Sequence, residues 1–312
     1  MTVFGGKMYS DDAGLIEEIM RLKEKRKAIL LVHNYQLGEV QDIADYTGDS
    51  LELSRIASQT DSRVIVFCGV HFMAETASIL CPDKTVLLPD INAGCPMADM
   101  INAGGLRALM KEYPNAPAIA YVNTSAEVKA EAFICCTSTN AVRVAESVDS
   151  PEVIFVPDKY LAHYTSSCVK KKFIIWDGYC PTHIKIIPED ILRERALHPQ
   201  AEVMVHPECT PAVAALADRV VSTGGMCKFA KESSAKEFII GTEIGMLHRL
   251  RKENPDKTFY PASELAICPN MKKINLEKVL TSLEKGITEI HVEGSIAEGA
   301  KKALDKMLEL SY

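Results

Sequence analysis

AILLVHNY, residues 28–35, is an apolar, β-rich run that ends in polar residues. Two further stretches read the same way, PAIAYVNTS (117–125) and AEVMVHPE (201–208). Each follows a stretch whose apolar spacing fits a helix laid against a sheet: LIEEIMRLKEKR, GLRALMKEYP and PEDILRERAL. Aligning the three runs at their strand ends puts His33, Asn123 and His206 in equivalent places. Downstream of each lies a Ser/Thr-bearing turn, at Gly48–Ser50, Cys136–Asn140 and Ser222–Gly225. A further apolar run then ends in VIVFCG, EVIFVP or EFIIGTE, and another helix-like stretch follows it. A last strand leads into a Cys-Pro pair, at Cys95-Pro96, Cys180-Pro181 and Cys268-Pro269. The expected unit is strand–helix–turn–helix–strand–helix–strand–Cys-Pro, repeated every ~85 residues.

Strands alternating with helices imply right-handed crossovers and parallel sheets covered on both faces. The expected fold is therefore α/β: three pseudo-threefold-related α/β/α sandwiches, each with a small parallel sheet, around a central active site. Domain boundaries are expected at 1–104, 105–187 and 188–270. Residues 271–312 are expected to form a helical tail that packs back on the body. Sheets of this kind carry functional loops at the carboxyl ends of their strands, so the polar strand-end residues should share one face of each unit.

The chain has 312 residues, 47% of them hydrophobic and 25% charged, ordinary values for a globular protein. A net charge of −7 argues against a nucleic-acid partner, which wants a basic face. The basic run Lys170–Lys172 reads as a solvated strand entry. The N-terminal stretch MTVFGGKMYSDDAG has neither a cationic nor an apolar segment of signal-peptide type, and no apolar stretch reaches membrane-spanning length. A cytoplasmic protein with no membrane partner is expected. In that setting cysteines are better read as ligands or core residues than as disulfides.

Ten cysteines are present, and three of them recur on matching loops. Cys81-Pro82 is a decoy pair, because it precedes its strand and belongs at the other side of the sheet. Cys68, Cys135 and Cys136 sit in or beside apolar runs, where free cysteine behaves as a small hydrophobe. Cys168, Cys209 and Cys227 lack counterparts in the other repeats. Proline after each of Cys95, Cys180 and Cys268 lacks an N–H and fixes φ, which stiffens the loop that aims the thiol. Three soft sulfur ligands select zinc or an iron–sulfur cluster, and the pattern alone does not separate the two. A zinc site would suit hydrolysis or deamination. A cluster on three cysteines would keep one iron open, whereas electron carriers use four. A non-enzymatic iron–sulfur sensor is a third possibility, but it gives no role to the polar strand-end residues.

Those residues are His33 and Tyr35, Tyr121 and Asn123, and His206 and Glu208. Converging on one cavity, they could act as general acids, bases and carboxylate binders. The turns carrying Ser50, Ser138 and Ser222-Thr223 lie where helices begin, where N–H groups and a hydroxyl suit an anion.

These residues, with the motifs HNYQ (33–36), QDIADYTGDSL (41–51), CPMAD (95–99), YVNTSAEVKA (121–130), CTSTNA (136–141), HPEC (206–209), STGGM (222–226), GTEIGMLHRL (241–250) and CPNMKK (268–273), closely resemble the quinolinate synthase family, over nearly the whole chain. The resemblance implies three α/β/α domains around a central site and a [4Fe–4S] cluster on Cys95, Cys180 and Cys268. It further implies condensation of iminoaspartate with dihydroxyacetone phosphate to quinolinate in NAD biosynthesis, and a possible partner enzyme that supplies iminoaspartate. Substrate contacts are implied for His33, Ser50, Tyr121, Val122, Asn123, Ser138, His206, Pro207, Glu208 and Thr223. Proton transfer is implied for Tyr35, Tyr121 and Glu208, with His33 and His206 assisting.

Overall fold

The computed structural model describes residues 2–4, 7–9 and 12–310. The remaining residues of the N-terminal stretch and the last two of the expected tail lie outside the described residues. β1 (Thr2–Phe4) pairs antiparallel with β2 (Lys7–Tyr9). The first repeat then forms β3 (Ala28–His33), β4 (Tyr46–Gly48), β5 (Val64–Cys68) and β6 (Thr85–Leu87). The second forms β7 (Ala118–Tyr121), β8 (Ile134–Cys136), β9 (Glu152–Val156) and β10 (Lys172–Ile175). The third forms β11 (Glu202–Val205), β12 (Arg219–Val220), β13 (Glu237–Gly241) and β14 (Thr258–Pro261).

Each set builds one parallel four-stranded sheet, in the order β4-β3-β5-β6, β8-β7-β9-β10 and β12-β11-β13-β14. The fold class is α/β with three repeated sheet units, as the alternating pattern demands. Central strands such as Leu30–Val32, Ile65–Phe67, Val153–Val156 and Phe238–Ile240 are buried almost completely, because helices cover both faces. The sequence pattern missed β4, β8 and β12, which it read as turns. They are edge strands of two or three residues, too short to carry a period.

The chain gathers into two compact units. One runs through Cys95 and takes in Pro269–Val292; the other comprises Pro96–Cys268 and the segment from Glu293 onward. The stretch read as a C-terminal tail is thus divided. Within the first unit, helix Leu276–Lys285 packs on helix Asp12–Arg26, with Val279, Leu280, Leu283, Leu15 and Ile19 buried. That helix stops at Gly286, whose φ of 70° suits a residue without a Cβ. Within the second unit, helix Gly294–Glu309 packs on helix Ala126–Glu131 and on β8. A Cβ on Gly299 would meet that of Ala130 at 3.0 Å, so the glycine permits the close approach.

The strand pairing fixes which residues are equivalent. His33 pairs with Gly48, and Tyr121 pairs with Cys136. Val205 pairs with Val220, one position before each of those levels, and with Gly241, the last residue of β13. Val32 and Ala120 likewise pair with the last residues of β5 and β9, Cys68 and Val156. The equivalent trio is therefore His33, Tyr121 and His206. The alignment that placed Asn123 with His33 and His206 is wrong by two residues, since strand ends judged by polarity ignore the ladder. Asn123 instead matches Tyr35 and Glu208. In the order second–first–third–fourth, the carboxyl end of the first strand flanks the point where chain direction across the sheet reverses, the customary binding crevice of such sheets.

Candidate active site

Each Cys-Pro pair follows the last strand of its sheet and opens a single turn of 3₁₀ helix three residues later, at Ala98–Met100, His183–Lys185 and Met271–Lys273. An α-helix begins eight residues after each cysteine, at Ala103, Pro188 and Leu276. Cys95, Cys180 and Cys268 are all half-buried. The decoy Cys81 caps helix His71–Leu80 at the amino-terminal side of β6, and its thiol points to the Ala57 carbonyl at 3.0 Å. Burial pushes the Cys135 thiol up to about 12 and raises those of Cys68, Cys136 and Cys209 further, so these four stay protonated.

A dense polar network lies in the second unit, at the carboxyl ends of β7 and β11. Tyr121 Oη donates to Glu208 Oε1 at 2.6 Å. The other carboxylate oxygen, Oε2, lies 2.7 Å from His183 Nδ1 and 3.8 Å from His206 Nδ1. His183 Nε2 meets Thr242 Oγ1 at 2.8 Å, and its Nδ1 lies 3.1 Å from the Cys180 sulfur. The His183 and His206 rings stack with centroids 4.7 Å apart. His206 Nε2 reaches Ser138 Oγ at 3.2 Å, while its Nδ1 accepts from the Glu208 N–H at 3.3 Å.

All of these side chains except Ser138 and Cys180 are buried, which makes the charges strongly interdependent. Burial alone would raise the Glu208 carboxyl. The two imidazoles and the Tyr121 hydroxyl outweigh it and hold Glu208 well below the usual carboxylate range. Asp158, fully buried nearby, moves the opposite way, because burial and then the Glu208 charge push it well above the usual range. A carboxylate held ionised accepts from the tyrosine hydroxyl and orients it for proton transfer.

Val122 and Pro207 lie buried between the members of these pairs. Asn123 Oδ1 is buried with no hydrogen-bond partner among the described residues, an orphan acceptor of the kind a ligand satisfies. Thr223 is the first residue of helix Thr223–Glu232, capped by Ser222, whose Oγ accepts from the Gly225 N–H and from Thr139 Oγ1.

In the first unit His33 ends β3 and is buried; its Nδ1 accepts from the Tyr35 N–H at 3.2 Å, and the Tyr35 ring meets it edge-on. Ser50 opens helix Ser50–Gln59, but the cap is Asp49, which forms a reciprocal capping box with Glu52. Cys95 belongs to this unit as well.

Sequence reasoning missed His183, Thr242 and Asp158. His183 follows Cys180 by three residues, a spacing visible in CPTH, but the matching positions are Ala98 and Met271. A search for features shared by all three repeats therefore passes over it. Cys180, His183 and Glu208 bring their donor atoms within 4.8 Å of one another, a group able to hold a metal ion.

Residues 17–309 match the family model described as quinolinate synthetase A protein. The quinolinate synthase of Methanosarcina barkeri is 56% identical over 95% of this chain and 97% of its own length. That of Thermodesulfovibrio yellowstonii is 56% identical over 95% and 98%, and that of Methanoregula boonei 54% over 96% and 100%. Three like sheets, three like Cys-Pro turns and a match that spans nearly the whole chain agree: the chain belongs to the quinolinate synthetase A family.

Proposed function

We propose that this chain is a cytoplasmic quinolinate synthase of NAD biosynthesis. It joins iminoaspartate to dihydroxyacetone phosphate and releases quinolinate, phosphate and two waters. The observation that carries this reading is the buried chain Tyr121–Glu208–His183 ending beside the Cys180 sulfur. On this reading the three repeats occupy 1–104, 105–187 and 188–270, with the tail from 271.

The donor set suits a [4Fe–4S] cluster on Cys95, Cys180 and Cys268. These are three half-buried thiols on identical proline-stiffened turns, while four other cysteines are locked as neutral core thiols. When bound, such a group supplies a Lewis-acidic iron for a substrate oxygen.

The protein's residues do the rest. Tyr121 and Glu208 act as one acid–base unit, the ionised carboxylate orienting the hydroxyl that exchanges protons with substrate. His183 holds Glu208 from its far oxygen and is itself oriented by Thr242. His206, Ser138 and Asn123 offer polar contacts to substrate carboxylates, with Val122 and Pro207 shaping the wall. Thr223 and Ser50, each at the start of a helix of ten residues, offer N–H and hydroxyl groups to carboxylate or phosphate. His33 and Tyr35 provide the first repeat's counterparts. An enzyme that produces iminoaspartate is the expected partner, because an imine hydrolyses in water.

The test is anaerobic purification followed by metal analysis and assay. A brown protein with about four iron per chain, the content of one cubane cluster, that forms quinolinate from the two substrates supports the reading. One observation favours a second reading: the Cys180–His183–Glu208 group has the donor types of a zinc site. One zinc, no iron and no quinolinate would turn the assignment to a zinc hydrolase or deaminase.

A further inference from the structure

The register that aligns the strand ends also aligns the residues just beyond the third strand of each sheet. Val70, Asp158 and Glu243 each follow by two residues the last residue of β5, β9 and β13. The next residue makes the same backbone bond in every repeat, donating its N–H to the carbonyl two residues before the cysteine. The bonds are His71 to Ala93 at 2.8 Å, Lys159 to Gly178 at 2.8 Å and Ile244 to Ala266 at 3.1 Å. A Cβ on Gly178 would sit 2.4 Å from the Pro157 carbonyl oxygen, so only glycine lets the second of these loops close.

This shared bond brings the aligned position beside the cysteine loop. In the third repeat Glu243, fully buried, accepts the Cys268 N–H on Oε1 at 3.0 Å and the Gly245 N–H on Oε2 at 2.7 Å. In the second, Asp158, also fully buried, accepts the Leu161 N–H at 2.7 Å and bridges through its backbone to Gly178, two residues before Cys180. Asp158 is one methylene shorter, and its Oδ2 has no hydrogen-bond partner among the described residues, so the second repeat lacks the bond that Glu243 makes. In the first repeat the position is Val70, which brings no carboxylate.

We infer that Glu243 is a positioning residue that fixes Cys268 for metal binding by holding the cysteine N–H group. The inference rests on the cluster assignment above. The physical reason is local. Proline after the cysteine contributes no N–H, so the cysteine's own N–H is the nearest donor through which the fold can fix the backbone that aims the sulfur. A buried carboxylate accepts that bond strongly, and a second N–H on the same carboxylate stops it from turning away. Outer partners that orient metal ligands typically cost about 10–100-fold in metal affinity when lost.

The experiment measures the rate at which anaerobic holoprotein gives up iron to a strong ferrous chelator. Visible spectra and iron and sulfide content are recorded at the start. Glu243→Leu should lose iron about tenfold or more faster than wild type, and Asp158→Leu should be affected less. Glu243→Gln and Asp158→Asn, which keep an acceptor, should fall close to wild type. If the leucine variants do not fold, Glu243→Asp serves instead: it keeps the charge, withdraws the oxygen from the Cys268 N–H, and should still release iron faster. Unchanged release from folded Glu243→Leu or Glu243→Asp overturns the inference while leaving the cluster assignment intact. Wild-type protein that binds no iron and sulfide overturns both.

Discussion

The loops that carry Cys95 and Cys180 have nearly the same backbone and very different surroundings. Both follow the last strand of a sheet, both run Cys-Pro into one turn of 3₁₀ helix, and both are tied by the same bond to the residue after position 70 or 158. Around Cys180, however, the fold has placed His183, Asp158 and, through His183, Glu208 and Tyr121. The corresponding positions near Cys95 are Ala98 and Val70. A repeated scaffold thus preserves the backbone of the cysteine loop, while the chemistry of the neighbouring side chains has been concentrated beside Cys180. Symmetry suits ligation, which needs equal arms. Proton transfer needs one acid–base unit, and additional buried charges would have to be compensated.

The comparison can be broken most sharply at the cysteines. Cys180→Ser and Cys95→Ser should each abolish cluster binding, and Cys81→Ser should leave iron content unchanged. Cluster loss from Cys81→Ser with retention in Cys180→Ser would move the metal to the decoy. Next in size, Glu208→Gln and Tyr121→Phe should lower quinolinate formation by about 10²–10⁴-fold, the usual worth of a positioned acid or base, with iron content unaltered. Full turnover in either variant would remove the acid–base assignment.

A third test follows the charge on Glu208. Its native-state pKa lies below its unfolded value, so its contribution to stability is complete above the unfolded value. That contribution is lost progressively as pH falls from the unfolded value through the lower native value. The stability difference between wild type and Glu208→Gln in denaturant titrations should therefore hold down to about pH 4.5, just above the ordinary glutamate value. A difference that does not shrink as pH falls below 4.5 would mean the carboxylate is not held down.

Thiol labelling of native, cluster-free protein at pH 8 gives a smaller readout. Cys168, which is exposed, and half-buried Cys95, Cys180 and Cys268 should react. Cys68, Cys81, Cys135, Cys136, Cys209 and Cys227, which are buried, should stay protected until the chain unfolds. The smallest effect is structural: Asp49→Ala removes a capping box in the first repeat and should cost about 1 kcal/mol in chemical denaturation.

Much of this molecule was legible without coordinates. Strands buried on both faces need uninterrupted apolar runs, so VIVFC, EVIFV and EFIIG declared themselves, and their alternation with helices required parallel sheets. The Cys-Pro loops were legible because two unusual residues recurred together. The edge strands were not, since two or three residues carry no period, and their loss shifted the alignment of Asn123 by two positions.

What the amino-acid sequence by itself determined was the repeated unit, its class and the residue types available for chemistry, because those depend on local pattern and short-range backbone preference. Only the tertiary structure decided that His183 reaches across to Glu208, that Tyr121 completes the pair from 87 residues away, and that Asp158 and Glu243 meet the two cysteine loops. Those contacts depend on strand register, and register is set by the packing of whole sheets, which no local stretch records.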